Sequence, residues 1–98
     1  MTFVYVPEED LHKNIVEQEC LTLSCEVSRP DAITQWYKDG VEVQPDDNTS
    51  IETESTVRKL LIQASQLSDS GTYTCRAGDS ALMFKVNVRG MEQIAIEN

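Results

Sequence analysis

Three cysteines, one histidine, one pair of adjacent aspartates and one Asn-Thr-Ser triplet are the residues of this 98-residue chain whose types have chemistry to offer. His12 is the only histidine, so no histidine-rich metal cluster can form, and it reads as an exposed strand residue. Cys20 and Cys25 lack the two-residue spacing of a metal knuckle, and on an alternating strand they point to opposite faces. Asp46-Asp47 sits among Pro, Asn, Thr and Ser, the setting of a solvated loop rather than of a general acid and base. The chain has no glycine-rich phosphate loop and no GxSxG nucleophile elbow. The expectation is a non-enzymatic protein with no cofactor, no metal and no small-molecule substrate. Asn48-Thr49-Ser50 fits the glycosylation acceptor pattern, which is read as a chance match among four asparagines.

Net charge is -9, from 17 acidic and 8 basic residues, with acids grouped at Glu8-Glu9-Asp10 and Asp46-Asp47. Such a surface repels phosphate backbones and anionic lipid, so neither nucleic acid nor membrane is expected as a partner. A basic patch on a partner protein would be steered in, and the same charge also keeps a domain soluble. The longest uninterrupted apolar runs are three or four residues, too short for a membrane helix. The opening "MTFVYVPEED" lacks the basic start and apolar core of a secretory signal, and Met1 is either native or added. The length suits one domain that can bury a core of its own.

What must position these residues is a set of short strands. "CLTLSCEV" alternates, with Leu21, Leu23, Cys25 and Val27 on one face and Cys20, Thr22, Ser24 and Glu26 on the other. "RPDA" marks a turn, and "ITQWYK" follows with Ile33 or Trp36 inward. "KDG" predicts a tight turn, because Asp-Gly supplies positive backbone angles. "VEVQ" reads as a short alternating strand, "PDDNTS" as a polar loop, and "TVRKLLIQ" as a strand with Leu60 and Ile62 two apart. "QLSDSG" reads as a corner holding one helical turn at most. "TYTCRAG" and "ALMFKVNVR" form a hairpin around Gly78-Asp79-Ser80. Leu82, Phe84, Val86 and Val88 share one face of its second arm, and Ala81, Met83, Lys85 and Asn87 the other. Seven or eight such strands with turns between them predict an all-β antiparallel sandwich.

Cys25 and Trp36 lie eleven residues apart, Cys75 follows Cys25 by fifty, and Tyr73 precedes Cys75 by two. This is the cysteine, tryptophan, cysteine and tyrosine-corner pattern of immunoglobulin domains. The two cysteines face each other from opposite sheets, Trp36 packs against them, and the Tyr73 hydroxyl seeks a backbone acceptor a few residues upstream. Asp69 is expected to accept from corner amides or to pair with Arg58, and Gly71 to allow the tight backbone of the corner. With "LTLSCEV", "ITQWYKDGVEV", "KLLIQASQLSDSGTYTCRAG" and "FKVNV", the chain resembles an I-set immunoglobulin domain over roughly residues 3–89. "WYKDG" with "DSGTYTC" is similar to the domains of giant sarcomeric proteins, and "LLIQ" with "DSGTYTCRAG" most of all to the obscurin and obscurin-like family. One departure stands out. That family places Gly in the turn before its second strand, and this chain has Glu17-Gln18-Glu19.

The resemblance implies a Greek-key β-sandwich over residues 1–89 with residues 90–98 as a linker or appended segment. It implies a cytoplasmic module of the myofibril, at the M-band or Z-disc, that links myofibrillar proteins such as titin or myomesin. In such cytosolic proteins the Cys25/Cys75 pair is commonly reduced. A bridge closing about fifty residues would add roughly 4 kcal/mol. Cys20 reads as an idle surface thiol. A partner is expected at a strand edge or sheet face. The candidates are the outer residues of the last strand, Ala81, Met83, Lys85 and Asn87, and the apolar first segment with Phe3 and Tyr5, which is also expected to pair as a first strand. The competing reading is an extracellular adhesion or receptor domain.

Overall fold

The computed structural model describes residues 3, 4 and 6–91, and they form two packed β-sheets. The strands are β1 His12–Val16, β2 Leu21–Glu26, β3 Thr34–Lys38, β4 Val41–Glu42, β5 Thr49–Glu54, β6 Val57–Ile62, β7 Gly71–Ala77 and β8 Ser80–Arg89. One sheet has the order β1-β8-β7-β3-β4 and the other β2-β6-β5. Every pairing is antiparallel except that of β1 with β8, which is parallel over His12↔Lys85 to Val16↔Arg89.

Alternation decides which side chains enter the core. In β2 the pattern is strict, with Leu21, Leu23 and Cys25 buried and Thr22, Ser24 and Glu26 exposed. β8 does the same with Phe84, Val86 and Val88. Leu60 and Ile62 of β6 and Tyr73 and Cys75 of β7 complete the main cluster around Trp36. Of the two inward candidates before β3, Trp36 is buried and Ile33 is 84% exposed. Trp36 lies opposite Cys75 in the ladder and 5.7 Å, centroid to centroid, from the ring of Phe84.

The turns follow their residues. Asp39 and Gly40 have φ of 50° and 87°, the double positive angle that a two-residue hairpin between Lys38 and Val41 demands. The β7–β8 hairpin turns on Gly78-Asp79, and Ser80 already pairs with Ala77. The corner holds one 3-10 turn, Leu67–Asp69.

Four expectations are corrected. The polar loop stops at Asn48: Thr49 begins β5, whose residues are nearly all exposed because it is the last strand of the smaller sheet. "VEVQ" contributes only the two-residue β4. The first segment pairs with β2 only at its start: Phe3 makes one bridge to Val27, and Val4 N–H donates to Glu26 O. Pro7 and the 3-10 turn Glu8–Leu11 then carry the chain across to the other sheet. As a result β1 lies beside β8 and covers its edge from Lys85 to Arg89, so β8 is not the edge strand of its sheet. Tyr5 and residues 92–98 lie outside the described residues.

Candidate protein-interaction surface

The corner fixes the larger sheet against the smaller one. Tyr73 is buried, and its hydroxyl donates to the Asp69 carbonyl at 2.7 Å. Burial first, and then the carboxylates of Asp69 and Asp39, push the Tyr73 phenol well above its ordinary range. Asp69 Oδ2 accepts from Gln66 N–H, closing the first turn of the corner. Arg58 takes no part in this. It is 1% exposed and turns the other way, donating to the carbonyls of Ser55, Val57, Pro30 and Ala32 at 2.7–3.1 Å. The guanidinium fork therefore ties the β2–β3 loop to the β5–β6 turn, a role its sequence context hid. One signal was present: Arg58 shares the inward parity of Leu60 and Ile62.

Cys25 on β2 and Cys75 on β7 face each other across the core as free thiols. The hydrogen bond with Cys25 and then burial hold the Cys75 thiol above the ordinary range, and the same bond draws the Cys25 thiol down; with no exposed surface, Cys75 is closed to reagents in the folded domain. Cys20 is exposed beside the Thr22 hydroxyl. Asn48 is committed to the fold: its Nδ2 donates to Ala64 O and its Oδ1 accepts from Ala64 N–H, both at 3.0 Å. The carboxamide thereby clips the β4–β5 loop to the end of β6. Among the described residues no three His, Cys, Asp or Glu side chains are grouped to hold a metal ion.

The turn without glycine is built on strain. Gln18 has φ of 77°, and its N–H donates to Ser65 O at 2.7 Å, while Ser65 N–H returns to Glu19 O. The Glu19 carboxylate accepts from Val16 N–H, and that of Glu17 from Met91 N–H. Backbone and carboxylate bonds around Gln18 thus hold an angle that side chains disfavour.

The candidate contact residues divide. Phe3 is half-buried between the two core clusters, so its ring is engaged within the fold. Lys85 and Asn87 lie on the stretch paired with β1, where Asn87 Nδ2 donates to Asn14 Oδ1. Ala81 and Met83 lie on the part of β8 beyond the reach of β1, and Met83 is 53% exposed. All four point outward from the five-stranded sheet. Tyr37 and Arg76 share that face with them, and neither was singled out from the sequence. The chemistry this surface offers is that of contact: apolar area, cations and hydroxyls on a rigid sheet.

Comparison with known proteins agrees with this geometry. Residues 4–78 match the family model described as immunoglobulin domain. The solved Ig-like domain of human obscurin-like protein 1 is 41% identical, with a TM-score of 0.78 over 89% of this chain and 98% of that one. Mouse hemicentin-1 is 40% identical over 74 residues, 70% of this chain, and the titin homolog of Caenorhabditis elegans 37% identical over 65, or 66%. The chain spans 1% or less of the length of these two relatives. Two facing sheets, a tyrosine corner, a buried tryptophan beside two facing core cysteines and this family match together make the chain a member of the immunoglobulin domain family.

Proposed function

We propose that this domain is a non-enzymatic module that binds protein and carries load within a giant scaffold chain of the sarcomere, linking myofibrillar proteins such as titin or myomesin. The observation that carries the reading is the parallel seam of β1 with β8. The chain enters β1 at His12 beside Lys85 and leaves β8 at Arg89 beside Val16. Tension between the two ends of the domain slides these strands along their length, so the bonds of the seam are loaded together rather than one by one. Glu17 N–H donating to Arg89 O, and Met91 N–H to the Glu17 carboxylate, extend the seam to its exit. Similarity to titin and obscurin-like domains supports the muscle setting. On this reading residues 1–89 are the module and residues 90–98 a linker or an appended segment. Pull-down from muscle extract checks the binding half: titin or myomesin recovered supports it, and no myofibrillar protein recovered leaves only a spacer.

A second reading, an extracellular adhesion or receptor domain, draws on the facing Cys25 and Cys75. The Asn48 carboxamide is half-buried and bonded to Ala64 through both Nδ2 and Oδ1, so the acceptor is held against the fold rather than presented freely for a sugar. Alkylation of fresh native tissue, completed under denaturing conditions so that the buried Cys25 and Cys75 react, separates the two. Three trapped thiols fit the sarcomere, and one trapped thiol with Cys25 bridged to Cys75 fits a secreted chain.

A further inference from the structure

We propose that the outer face of the five-stranded sheet, centred on Met83, docks a protein surface that presents carboxylates around an apolar side chain. The proposal deepens the interaction-module reading and rests on it. In a chain of net charge -9, the strands of this face present three cations to one carboxylate. Arg76 on β7 lies opposite Ala81, and Lys85 and Arg89 follow on β8, all three exposed and outward. Among the described residues none of the three has a carboxylate within ion-pair distance, since the ion pairs formed are Arg29–Asp31 and Lys38–Asp39. The strand carboxylate on the face is Glu42, at its far edge opposite Tyr37; Glu8 borders the hollow beside Lys85, and the Glu17 carboxylate near Arg89 is occupied by Met91 N–H. That of Asp39, at the nearby turn, is occupied by Thr72 N–H and by Lys38.

The other outer face has the opposite character. Glu26 and Glu54 flank Val57 on one rung, and Ser24, Lys59 and Glu52 form the next, so three carboxylates face a single cation. Screening over about 8 Å at physiological salt makes the nearest charges decide what a partner meets, so the net charge does not cancel the local one. Lys85 and Arg89 are four residues apart, roughly 13 Å along the strand, a spacing that separate carboxylates on one partner surface can match.

The apolar centre is Met83, an exposed flexible thioether flanked by two hollows. One is lined by Tyr37, Gly40, Thr74 and Arg76, the other by Val6, Leu11, His12 and Lys85, with Glu8 at its rim. An apolar middle within a charged rim is the anatomy of a protein interface rather than of a small-ligand site. Cations around it select an acidic partner and reject a basic one.

Amide chemical-shift mapping with two synthetic peptides tests this, one alternating glutamate with leucine and one alternating lysine with leucine. The glutamate peptide is expected to shift the amides of Thr74, Arg76, Met83 and Lys85, and to lose affinity at high salt. The double variant R76E/K85E should weaken it roughly tenfold or more, and M83S, which removes the apolar centre without adding charge, should also weaken it, with thermal midpoints unchanged. Shifts confined to other surfaces, or equal affinity in R76E/K85E, overturn the proposal. Binding of only the lysine peptide, on the Glu26–Glu52–Glu54 face, also overturns it while leaving the interaction-module reading intact. Concentration-dependent shifts of the same amides without peptide name a second copy as the occupant and overturn the choice of partner.

Discussion

The Asp39 carboxylate stands where a side chain on Gly71 would have to go: a Cβ built on Gly71 lies 2.7 Å from Asp39 Oδ2. Gly71 has φ of 151°, and the next residue, Thr72, donates its N–H to Asp39 Oδ1 at 3.0 Å. The β3–β4 turn is therefore clasped to the start of β7, at the entry to the tyrosine corner. Gly71→Ala should cost about 1–3 kcal/mol. Asp39→Ala should cost less, and the double variant should cost less than the sum, since the clash is gone. Denaturant melts of the four proteins give the coupling directly.

Acid should loosen the same clasp. The bond from Thr72 first, and then the Lys38 charge, hold the Asp39 carboxyl below its ordinary value. A depressed folded pKa contributes stability that is complete above the unfolded value, about 3.9, and is lost as pH falls through the folded one. Thermal midpoints of Asp39→Asn should fall less steeply than those of the native chain between pH 4 and pH 2, about the range in which a depressed aspartate titrates.

At the turn before β2, Gln18 holds the backbone that glycine adopts freely. Gln18→Gly should raise stability by about 1 kcal/mol, because the left-handed penalty disappears while the Ser65 bond, made by backbone, remains. Gln18→Ala keeps the penalty and should bring no gain. Equal midpoints for the glycine and alanine variants would remove strain from this account of the turn.

In the core, Trp36→Ala should cost about 3–5 kcal/mol, enough to unfold a domain of ordinary stability. Trp36→Phe keeps a ring beside Phe84 and should cost about half as much. Calorimetry that found a cooperative, undiminished transition in Trp36→Ala would contradict the placement of the core.

Much of the fold was legible because burial on a strand has period two. "LTLSC" and "LMFKVNV" declare their inward faces, and tyrosine two residues before cysteine declares the corner. Less was legible where side chains carry no alternating signal. β5 is polar and exposed at a sheet edge, so its first two residues read as loop and the rest gave no strand signal. The placement of β1 depends on a crossing after Pro7, a tertiary choice that leaves no pattern in "HKNIV", and with it went the belief that β8 is an edge. From the sequence Arg58 was one possible partner of Asp69; its carbonyl partners Pro30, Ala32 and Ser55 come from a loop and a turn that only folding brings together. The contact face was half visible, in the parity of Ala81, Met83, Lys85 and Asn87, whereas Tyr37 and Arg76 join it only through the register of β3, β7 and β8.

Single-molecule extension tests the load-carrying claim most directly, by pulling the domain between its two ends and comparing the native chain with Lys13→Pro and Asn14→Pro. One of these two neighbours directs its N–H toward β8, and proline removes it. The parallel seam predicts one cooperative high-force event in the native chain, and a much lower unfolding force in one proline variant whose β2–β6 core remains folded. Equal forces in all three proteins would place the resistance elsewhere and contradict the account.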